Sequence, residues 1–461
     1  METFAETLAT FAAGLTPSRV PRAVAEQATR LLLDTAGVAL AAMPEDFAGG
    51  VQTVARALGG PPESSLWGGR EQVGMAAAVL ANGTLAHGLD YDDTLEEAIV
   101  HTGSCCVTAA LAAGEARHAP GAEVLAAIVA GVEVMAAVGS ACPGAFHRRG
   151  FHPTALCGSF GAAAATGRLL GLTAAELTTA FGLCGSQASG IIEYLADGTW
   201  TKRLHTGWAA HAGVVAAMLA HAGFTGPRTV FEGTHGFYRA FAGEPPDAGR
   251  LAALAAGLGR EWAIQRLMFK AYPCGSINQP YMDCAARIRA RPGFDPAAIR
   301  AIVCRTAEGP VHRLWEPLAE KQRPTTPYGA KFSLPYCIAL VLVEGAAGVD
   351  GFSEAKTRDP RILAVAGKVR YVLDPTLPYP LRFTGHVRVE LGDGRVLEET
   401  QDAPRGGPAR PFGLEELRAK FRANAARALP AAQVELLLER LLAIDGAGDV
   451  APIVADLRRA A

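Results

Sequence analysis

The sequence predicts a mainly α-helical protein with two domains. Apolar residues recur at three- and four-residue spacings through almost all of residues 1–265, which is the pattern of amphipathic helices. Glycine is abundant, with 52 residues, and aromatic residues make up only 7% of the chain, so we expect helices that approach one another closely. A chain of 461 residues is also longer than one simple core normally serves.

The helical region contains several readable boundaries. Residues 1–15 form an amphipathic pattern without a basic leader, which favours a helix over a signal peptide. Thr173 and Glu176 have the spacing of a capping box. Residues 124–142 are very apolar but include Glu133, which favours a buried core helix over a membrane span. The other periodic segments are residues 22–43, 74–88, 104–117, 121–142, 154–170, 173–189 and 207–222.

The pattern changes near residue 266. Residues 301–306 and 369–373 are short and β-branched, and residues 385–399 resemble a hairpin around a Gly-Asp-Gly loop. Helical patterns lie between them at residues 279–290 and 333–345. Residues 266–404 are therefore expected to form a smaller α+β domain.

The chain is expected to return to the large domain at its end. Residues 401–409 are rich in proline and glycine, which is typical of a linker. Two further helical patterns follow, at residues 414–429 and 431–444. We therefore predict an all-α domain made of residues 1–265 and completed by residues 405–461.

Charge and cysteine content exclude several classes of function. The net charge is −2 and no basic block is present, so nucleic-acid binding has little electrostatic support. The nine cysteines are scattered, odd in number and without a CxxC pair. This usage indicates buried thiols in a reduced compartment, for which we expect a cytoplasmic location, and it argues against a zinc site. No membrane association is expected.

An acidic cluster follows the helical pattern of residues 74–88. Asp90, Asp92 and Asp93 are followed by Thr94, and His101 comes after a short turn. Clustered carboxylates raise the pKa of at least one of them, which suits a base that abstracts a proton near neutral pH. The plain alternative is a set of solvated cap and turn residues.

Two cationic clusters occur in the same helical region. His152 follows two arginines and precedes a helix start, where free amides favour anions. Lys202, Arg203 and His205 lie in a segment bounded by glycines, which we interpret as a loop that opens a helix and could bind a carboxylate. The plain alternative for both clusters is solvated surface charge.

A fourth cluster marks the expected domain junction, where pockets commonly form. Lys270 precedes a Tyr-Pro turn that is followed by Cys274 and Ser276. Cys274 could act as a nucleophile, but packing or a polar role beside a substrate is favoured, because no partner histidine can be assigned from sequence.

In combination these motifs resemble the MmgE/PrpD family, which includes 2-methylcitrate dehydratase, cis-aconitate decarboxylase and iminodisuccinate epimerase. The resemblance covers nearly the whole chain and rests on LLLDTAGVALA, AxVLANGTLAHGLDYDDT, the HPT helix start, TKRLHTGWAA, FKAYPCG and AKFSLPY. It implies a large all-α domain with a smaller α+β lid, a homodimer, and catalysis without a cofactor or a metal.

The resemblance also implies site residues. Matched by motif, the residues expected to be catalytic are Asp90, Thr94, His101, His152 and Tyr336. The residues expected to bind the substrate belong to the cationic motifs and their neighbours: Lys202, Arg203, His205, Lys270, Cys274, Ser276 and Lys331.

The chain departs from the family pattern in two places. Many members carry a histidine after the Tyr-Pro turn, whereas residues 274–279 read Cys-Gly-Ser-Ile-Asn-Gln here. The missing histidine argues against decarboxylase activity. Glu96 and Glu97 also make the segment before His101 unusually acidic for a site that accepts an anion.

The sequence thus predicts a cofactor-independent lyase that removes a proton α to a carboxylate of a small polycarboxylic acid. Lys202 and Lys270 would hold carboxylates and stabilise the enolate-like intermediate. Asp90 or His101 would be the base, and His101 or His152 the acid. A dehydratase of the 2-methylcitrate dehydratase type is favoured over an epimerase or decarboxylase, and a non-catalytic carboxylate-binding protein is the alternative of another class.

Overall fold

The structure, a computed structural model, describes residues 2–379 and 381–459. The chain divides into two compact units. The first contains the chain up to Glu193, the segment Trp200–Leu267 and the chain from Gly413 onward, and the second contains Tyr194–Thr199 and Met268–Phe412. Within these residues the chain is mainly helical, which confirms the mainly α class.

The first unit begins with an almost continuous series of helices. Its first element, α1, starts at a capping box formed by Thr3 and Glu6. The capping box predicted at Thr173 and Glu176 is also present. The helices are α1 (Phe4–Gly14), α2 (Arg22–Ala41), α3 (Asp46–Leu58), α4 (Met75–His87), α5 (Gly103–Ala116), α6 (Gly121–Ser140), α7 (Ala145–Arg148), α8 (Pro153–Leu170), α9 (Ala174–Gln187), α10 (Thr201–His221), α11 (Phe237–Phe241) and α12 (Ala248–Gly257), with a two-residue ladder of β1 (Ser64–Ser65) and β2 (Gln72–Val73).

Small residues allow these helices to pack closely. A Cβ atom placed on Gly83 of α4 would lie only 2.8 Å from the Cα atom of Gly207 on α10. The Thr206 hydroxyl donates a hydrogen bond across this contact to the Gly83 carbonyl at 2.7 Å. Helix α10 also packs along α8. The close approach expected from the glycine content is therefore confirmed.

Helix α6 is long and apolar enough to cross a membrane, with a mean hydropathy of 1.9 over its best window. Of that window, 89% is buried inside the protein. Both carboxylate oxygens of Glu133, near the middle of α6, accept backbone N–H bonds at 3.0 Å, from Ala263 and Ile264. The burial and the satisfied carboxylate confirm α6 as a core helix.

The second unit combines short helices with a four-stranded sheet. The predicted hairpin is present, with Val387 opposite Glu399 in its antiparallel register. The strand order is β4-β3-β5-β6, in which β3 runs parallel to β4 and antiparallel to β5. The elements are α13 (Gln279–Arg289), β3 (Ile299–Thr306), α14 (Val311–Leu314), α15 (Leu318–Gln322), α16 (Pro327–Ala330), α17 (Leu334–Glu344), α18 (Glu354–Thr357), α19 (Pro360–Ala366), β4 (Val369–Leu373), β5 (Gly385–Leu391) and β6 (Val396–Gln401).

The segment predicted to be a linker packs on the second unit. The Gly406 carbonyl accepts a hydrogen bond from the Phe269 amide at 3.0 Å, and Arg405 forms an ion pair with Asp283. The chain then returns to the first unit as α20 (Leu414–Ala425), α21 (Ala431–Leu442) and α22 (Ala451–Ala455), with α20 packed on α2.

One predicted boundary is wrong. The sequence predicts that Lys202, Arg203 and His205 lie in a loop and that the following helix starts at Gly207. The structure begins α10 at Thr201, so these three residues occupy its first two turns. Gly207 does not mark a helix end, because its missing side chain serves the close contact with α4.

Candidate active site

The acidic cluster lies in the segment between α4 and α5 of the first unit. Asp90 adopts a left-handed backbone conformation with φ of 56°, which aspartate tolerates better than most residues. Its side chain is 1% exposed and accepts a bond from Lys202 Nζ at 2.7 Å. Lys202, in the first turn of α10, is also buried. The segment thus places a buried carboxylate against a buried ammonium group, which keeps both charges compensated.

Asp93 holds the start of helix α5. Its carboxylate accepts three hydrogen bonds at 2.8 Å, from the Thr102 amide, the Thr102 hydroxyl and the Gly103 amide. Burial and the neighbouring Asp92 carboxylate raise the pKa of Asp93 to about 7, although the three donors act in the opposite direction. Asp93 therefore has a positioning role, because it ties the acidic segment to α5.

His87 and His101 lie on either side of this segment. His87, the last residue of α4, is fully buried, and its Nδ1 lies 2.8 Å from Asp92 Oδ2. His101 Nδ1 lies 2.7 Å from the Asp93 carbonyl and 3.3 Å from Thr94 Oγ1. His87 is not among the site residues predicted from the sequence, although His87 and Asp92 both belong to the motif around Asp90.

His152 and His205 complete a group of four histidines. Their Nδ1 atoms lie 3.2 Å apart, and the His152 ring stacks at 5.5 Å from that of His87. Burial, followed by the charge of Lys202, lowers the pKa of His152 well below its usual value. Burial, followed by the proximity of His87 and Lys202, lowers the pKa of His205 to about 4. His152 and His205 are therefore neutral near pH 7, so each ring has one nitrogen that can accept a proton.

The first unit therefore gathers most of the predicted site residues. Asp90, Thr94, His101, His152, Lys202 and His205 are all buried within it. The basic pair before His152 is not part of this group, since Arg148 and Arg149 are exposed. One sequence signal could have identified the inward-facing residues. Histidines recur at the ends of helices, as His87 and His152 do.

The Arg203 side chain packs against two aromatic rings. Its guanidinium group lies 4.4 Å from the ring centre of Phe47 and 5.9 Å from that of Trp200. Stacking of this kind is favourable for arginine and holds its planar group against the aromatic faces. The side chain contributes to packing between α3 and the start of α10.

Helix α20, in the C-terminal part of the chain, contacts the acidic segment through Lys420. Lys420 Nζ lies 2.7 Å from Asp34 Oδ1 of α2 and donates to the Tyr91 carbonyl at 3.0 Å. It also lies 4.0 Å from the centre of the Tyr91 ring. Lys420, which belongs to the part of the chain that returns to the first unit, therefore holds Tyr91, the residue that follows Asp90.

The acidic residue Glu97 is neutralised at the surface. Arg266 donates to its Oε1 atom through Nη2 at 2.6 Å and through Nε at 2.9 Å, and both side chains are about two-fifths exposed. Because exposed pairs contribute little, Glu97→Gln is expected to lower the free energy of unfolding by less than about 1 kcal/mol. Urea denaturation will measure this difference.

A buried carboxylate provides the matched control for Glu97. Glu115 accepts hydrogen bonds from the Ser65 amide, the Ser65 hydroxyl and Gln72, at 2.7, 2.6 and 2.9 Å. Glu115→Gln should therefore be clearly more destabilising than Glu97→Gln. Equal effects of the two substitutions, or a loss of several kcal/mol for Glu97→Gln, would contradict a weak surface role for Glu97.

The other predicted residues lie in the second unit. Lys331 Nζ donates to the Pro273 carbonyl at 2.8 Å and lies 4.7 Å from the centre of the Phe352 ring. Lys270 is fully buried, and Ser276 begins a short 3₁₀ turn. The roles of Lys270, Ser276 and Lys331 in substrate binding remain predictions.

Cys274 and Tyr336 lie in the hydrophobic core of the second unit. Burial raises the pKa of the Cys274 thiol well above its usual value, so a thiolate nucleophile is disfavoured. The Tyr336 hydroxyl donates to the Gly351 carbonyl at 2.8 Å, and burial raises its pKa. Both side chains are engaged in packing, and a catalytic role for Tyr336 remains a prediction from the resemblance.

The segment after the Tyr-Pro turn uses its amide side chains internally. Gln279 accepts hydrogen bonds from the Ala271 and Tyr272 amides at 3.0 Å and donates to the Tyr272 carbonyl at 2.9 Å. Asn278 donates to the Lys331 carbonyl at 3.0 Å. Neither position carries a titratable group, and both stabilise the turn.

Comparison with known proteins identifies the family. The model of the MmgE/PrpD N-terminal domain matches residues 6–248, and the model of the MmgE/PrpD C-terminal domain matches residues 272–444. The chain belongs to the MmgE/PrpD family. The acidic segment, the four histidines and Lys202 all fall inside the N-terminal family domain.

Curated relatives in the MmgE/PrpD family are enzymes, named after either cis-aconitate decarboxylase or 2-methylcitrate dehydratase. The chain is 28% identical to cis-aconitate decarboxylase-like protein oryM of Aspergillus oryzae, over 96% of this chain and 94% of that one. It is 27% identical to human cis-aconitate decarboxylase, over 95% and 91%. It is 26% identical to 2-methylcitrate dehydratase of Cupriavidus necator, over 68% and 66%.

Proposed function

We propose that the protein is a cofactor-independent lyase that acts on a small polycarboxylic acid by removing a proton α to a carboxylate. The observation that carries this proposal is the buried Lys202–Asp90 ion pair in the same unit as the neutral His152 and His205. Such a group supplies a cation for a carboxylate and bases for proton transfer. The names of the family relatives support the same class of substrate.

In this mechanism Lys202 stabilises negative charge. Removal of the α-proton leaves an enolate-like dianion, and a buried ammonium group stabilises it more strongly than one in water would. Asp90 holds Lys202 in place through a hydrogen bond of 2.7 Å. His101 or Asp90 takes the α-proton. The leaving group then receives a proton from His101, or from His152 once this neutral ring has itself accepted a proton. His205 fixes the ring orientation of His152 through the Nδ1 contact.

Dehydration is the reaction that we favour. The carbanion would expel a β-hydroxyl group, which leaves as water after accepting a proton, and a carbon–carbon double bond would form. The histidine that many family members carry after the Tyr-Pro turn is absent, and Asn278 and Gln279 stabilise the turn in its place. The substrate would therefore resemble 2-methylcitrate.

Decarboxylation is the second candidate. Relatives named as cis-aconitate decarboxylases match more than nine-tenths of this chain, whereas the named dehydratases match about two-thirds of it. In that reaction the bond to a carboxylate would break with release of CO₂, and a protonated histidine would supply a proton to the carbon. Epimerisation would instead return the proton to the opposite face.

Proton NMR in D₂O tests the proposal directly. Citrate, 2-methylcitrate, cis-aconitate, malate and aspartate-derived acids would be incubated with purified protein. Growth of an alkene signal without release of CO₂ indicates dehydration, exchange of an α-proton alone indicates epimerisation, and release of CO₂ indicates decarboxylation. The control is the double variant Asp90→Asn, Lys202→Met, which should give none of these changes.

The same experiment separates catalysis from binding alone. If folded protein leaves every acid unchanged, the lyase proposal fails for this substrate class. Thermal stabilisation by one of the acids without turnover would then support a carboxylate-binding protein, because a ligand that binds only the folded state raises its stability.

We further propose that the protein forms a homodimer through the exposed face of α10. Trp200, Leu204 and Trp208 recur every four residues and are 51%, 41% and 44% exposed. This spacing places them on one helix face, and a contiguous apolar patch of this kind is typical of an interface. The substitution Trp208→Glu should shift the mass measured by light scattering from dimer to monomer, and an unchanged dimer would rule out this face.

The location of the protein remains part of the proposal. All nine cysteines are buried and free. Free thiols in this number are typical of a reducing compartment. We therefore propose a cytoplasmic location, which fractionation of the source cells will test.

A further inference from the structure

Three buried histidines of the first unit form a compact cluster. His87 ends α4, His101 lies just before α5, and His152 is the residue before α8. One ring nitrogen from each lies within 4.8 Å of the corresponding nitrogens of the other two. The three side chains are 0%, 6% and 2% exposed, so the cluster is shielded from solvent.

The Nδ1 atom of each ring lies close to another protein group. His87 Nδ1 lies 2.8 Å from Asp92 Oδ2, and His101 Nδ1 lies 2.7 Å from the Asp93 carbonyl. His152 Nδ1 lies 3.2 Å from His205 Nδ1. Metal-binding histidines are oriented in this way, with one nitrogen on a carboxylate or carbonyl and the other on the ion.

His87 provides an independent observation that points to a ligand. Its Nε2 atom is buried and has no hydrogen-bond partner among the residues that the structure describes. Buried polar atoms are nearly always paired, so an orphaned imidazole nitrogen calls for an explanation. The hydrogen bond from Nδ1–H to Asp92 leaves the lone pair on Nε2, which is the atom that a metal would bind.

We propose that His87, His101 and His152 form a binding site for a divalent transition-metal ion of the Zn²⁺ class. Imidazole nitrogen is a preferred ligand of Zn²⁺, Ni²⁺, Cu²⁺ and Co²⁺. Three histidines leave one position open, as in sites where a metal also binds water or a carboxylate. The nearby Asp92 carboxylate adds negative charge that favours a cation.

The geometry requires only a modest adjustment of the three rings. Metal–nitrogen bonds of about 2.0–2.1 Å place ligating nitrogens no more than about 4 Å apart. The three nitrogens now lie within 4.8 Å of one another, so small side-chain rotations bring them into range. The cysteine spacing and the family resemblance predict no metal, and the three histidines are too distant in sequence to form a recognisable metal motif.

Metal binding at the three histidines should affect catalysis, an expectation that rests on the proposed function. His101 and His152 are proposed to transfer protons, and a bound metal would occupy their lone pairs. A metal of the Zn²⁺ class is therefore expected to inhibit the proposed reaction. Binding itself does not depend on that reaction and can be measured without a substrate.

Cobalt binding provides the test. Protein without a histidine tag would be freed of metal with a chelator and titrated with Co²⁺, whose visible absorption reports nitrogen coordination. We expect one Co²⁺ per chain, displaced by one equivalent of Zn²⁺. His87→Gln should weaken binding by about 100-fold or more, and the second-sphere variant Asp92→Asn by about 10- to 100-fold. The control His221→Gln removes an exposed histidine of α10 and should leave binding unchanged.

The outcomes separate this proposal from the proposed function. Circular dichroism first shows that each variant is folded, and His101→Gln replaces His87→Gln if the latter is not. The absence of saturable Co²⁺ binding at one site per chain overturns the proposal, as does binding that is unaffected by both His87→Gln and Asp92→Asn. Metal binding by a protein that turns over no acid even when it is free of metal would support the metal site and count against the lyase.

Discussion

Replacing Asp90 by asparagine is expected to reduce turnover by about 10²- to 10⁴-fold, the range for loss of a group that acts in proton transfer. Asp90 Oδ2 lies 2.7 Å from Lys202 Nζ and forms a buried ion pair with it. Asparagine tolerates the left-handed backbone of position 90, where φ is 56°, so the main chain should be preserved. Steady-state kinetics on the substrate found by NMR will measure the loss.

The same substitution should also destabilise the fold. Removing one partner of a buried ion pair leaves the other charge uncompensated and typically costs about 3–5 kcal/mol. The double variant Asp90→Asn, Lys202→Met removes both charges and should recover much of that stability while it remains inactive. A double variant that is as unstable as the single variant would argue against the pair, and a fully active Asp90→Asn enzyme would end the catalytic assignment.

A second large effect is expected at the contact between α4 and α10. A Cβ atom on Gly207 would lie 2.2 Å from the Leu80 carbonyl oxygen and 2.3 Å from the Thr84 hydroxyl. The Leu80 oxygen belongs to the main chain of α4, so the two helices must separate to accept a methyl group. Overpacking of this kind costs about 1–3 kcal/mol and sometimes more. Gly207→Ala should therefore lower the midpoint of urea denaturation.

Gly207→Ala should reduce activity as well. Helix α10 carries Lys202 and His205, and α4 ends at His87, so a shift between the helices moves the ammonium group relative to Asp90. The control is Gly50→Ala in α3, where a Cβ atom would meet nothing within 4 Å. Alanine favours the helix there and should be neutral or stabilising. Equal denaturation midpoints for the two variants would show that the close contact is unimportant.

The boundaries of helices and strands could be predicted where residues that are neighbours in the sequence determine them. Thr173 and Glu176 form their capping box, and the β-branched residues 369–373 form strand β4. The start of α10 was not predictable, because a glycine in a helix and a glycine at a helix end look alike in sequence. Gly207 lies inside the helix because α4 packs against it, and that contact comes from a distant part of the chain.

In the candidate site, too, some features could be predicted from the sequence and others could not. The motif around Asp90 draws attention to its carboxylates, but spacing alone does not distinguish their roles. Asp93 caps α5, Asp92 orients His87, and Asp90 pairs with Lys202. Arg203 is adjacent to Lys202 in sequence, yet it stacks on Phe47 because successive residues of a helix point in different directions.

The sequence by itself determined the mainly helical class, the family and most members of the buried group, because helix periodicity and motif spacing are local properties of the chain. Only the tertiary structure decided that four histidines from separate segments share one buried region and that His87 belongs to it. It also revealed that Lys420, from the end of the chain, supports the segment of Asp90. These relations join residues far apart in sequence, and the charges and pKa values that follow from them depend on burial, which arises only when the helices pack.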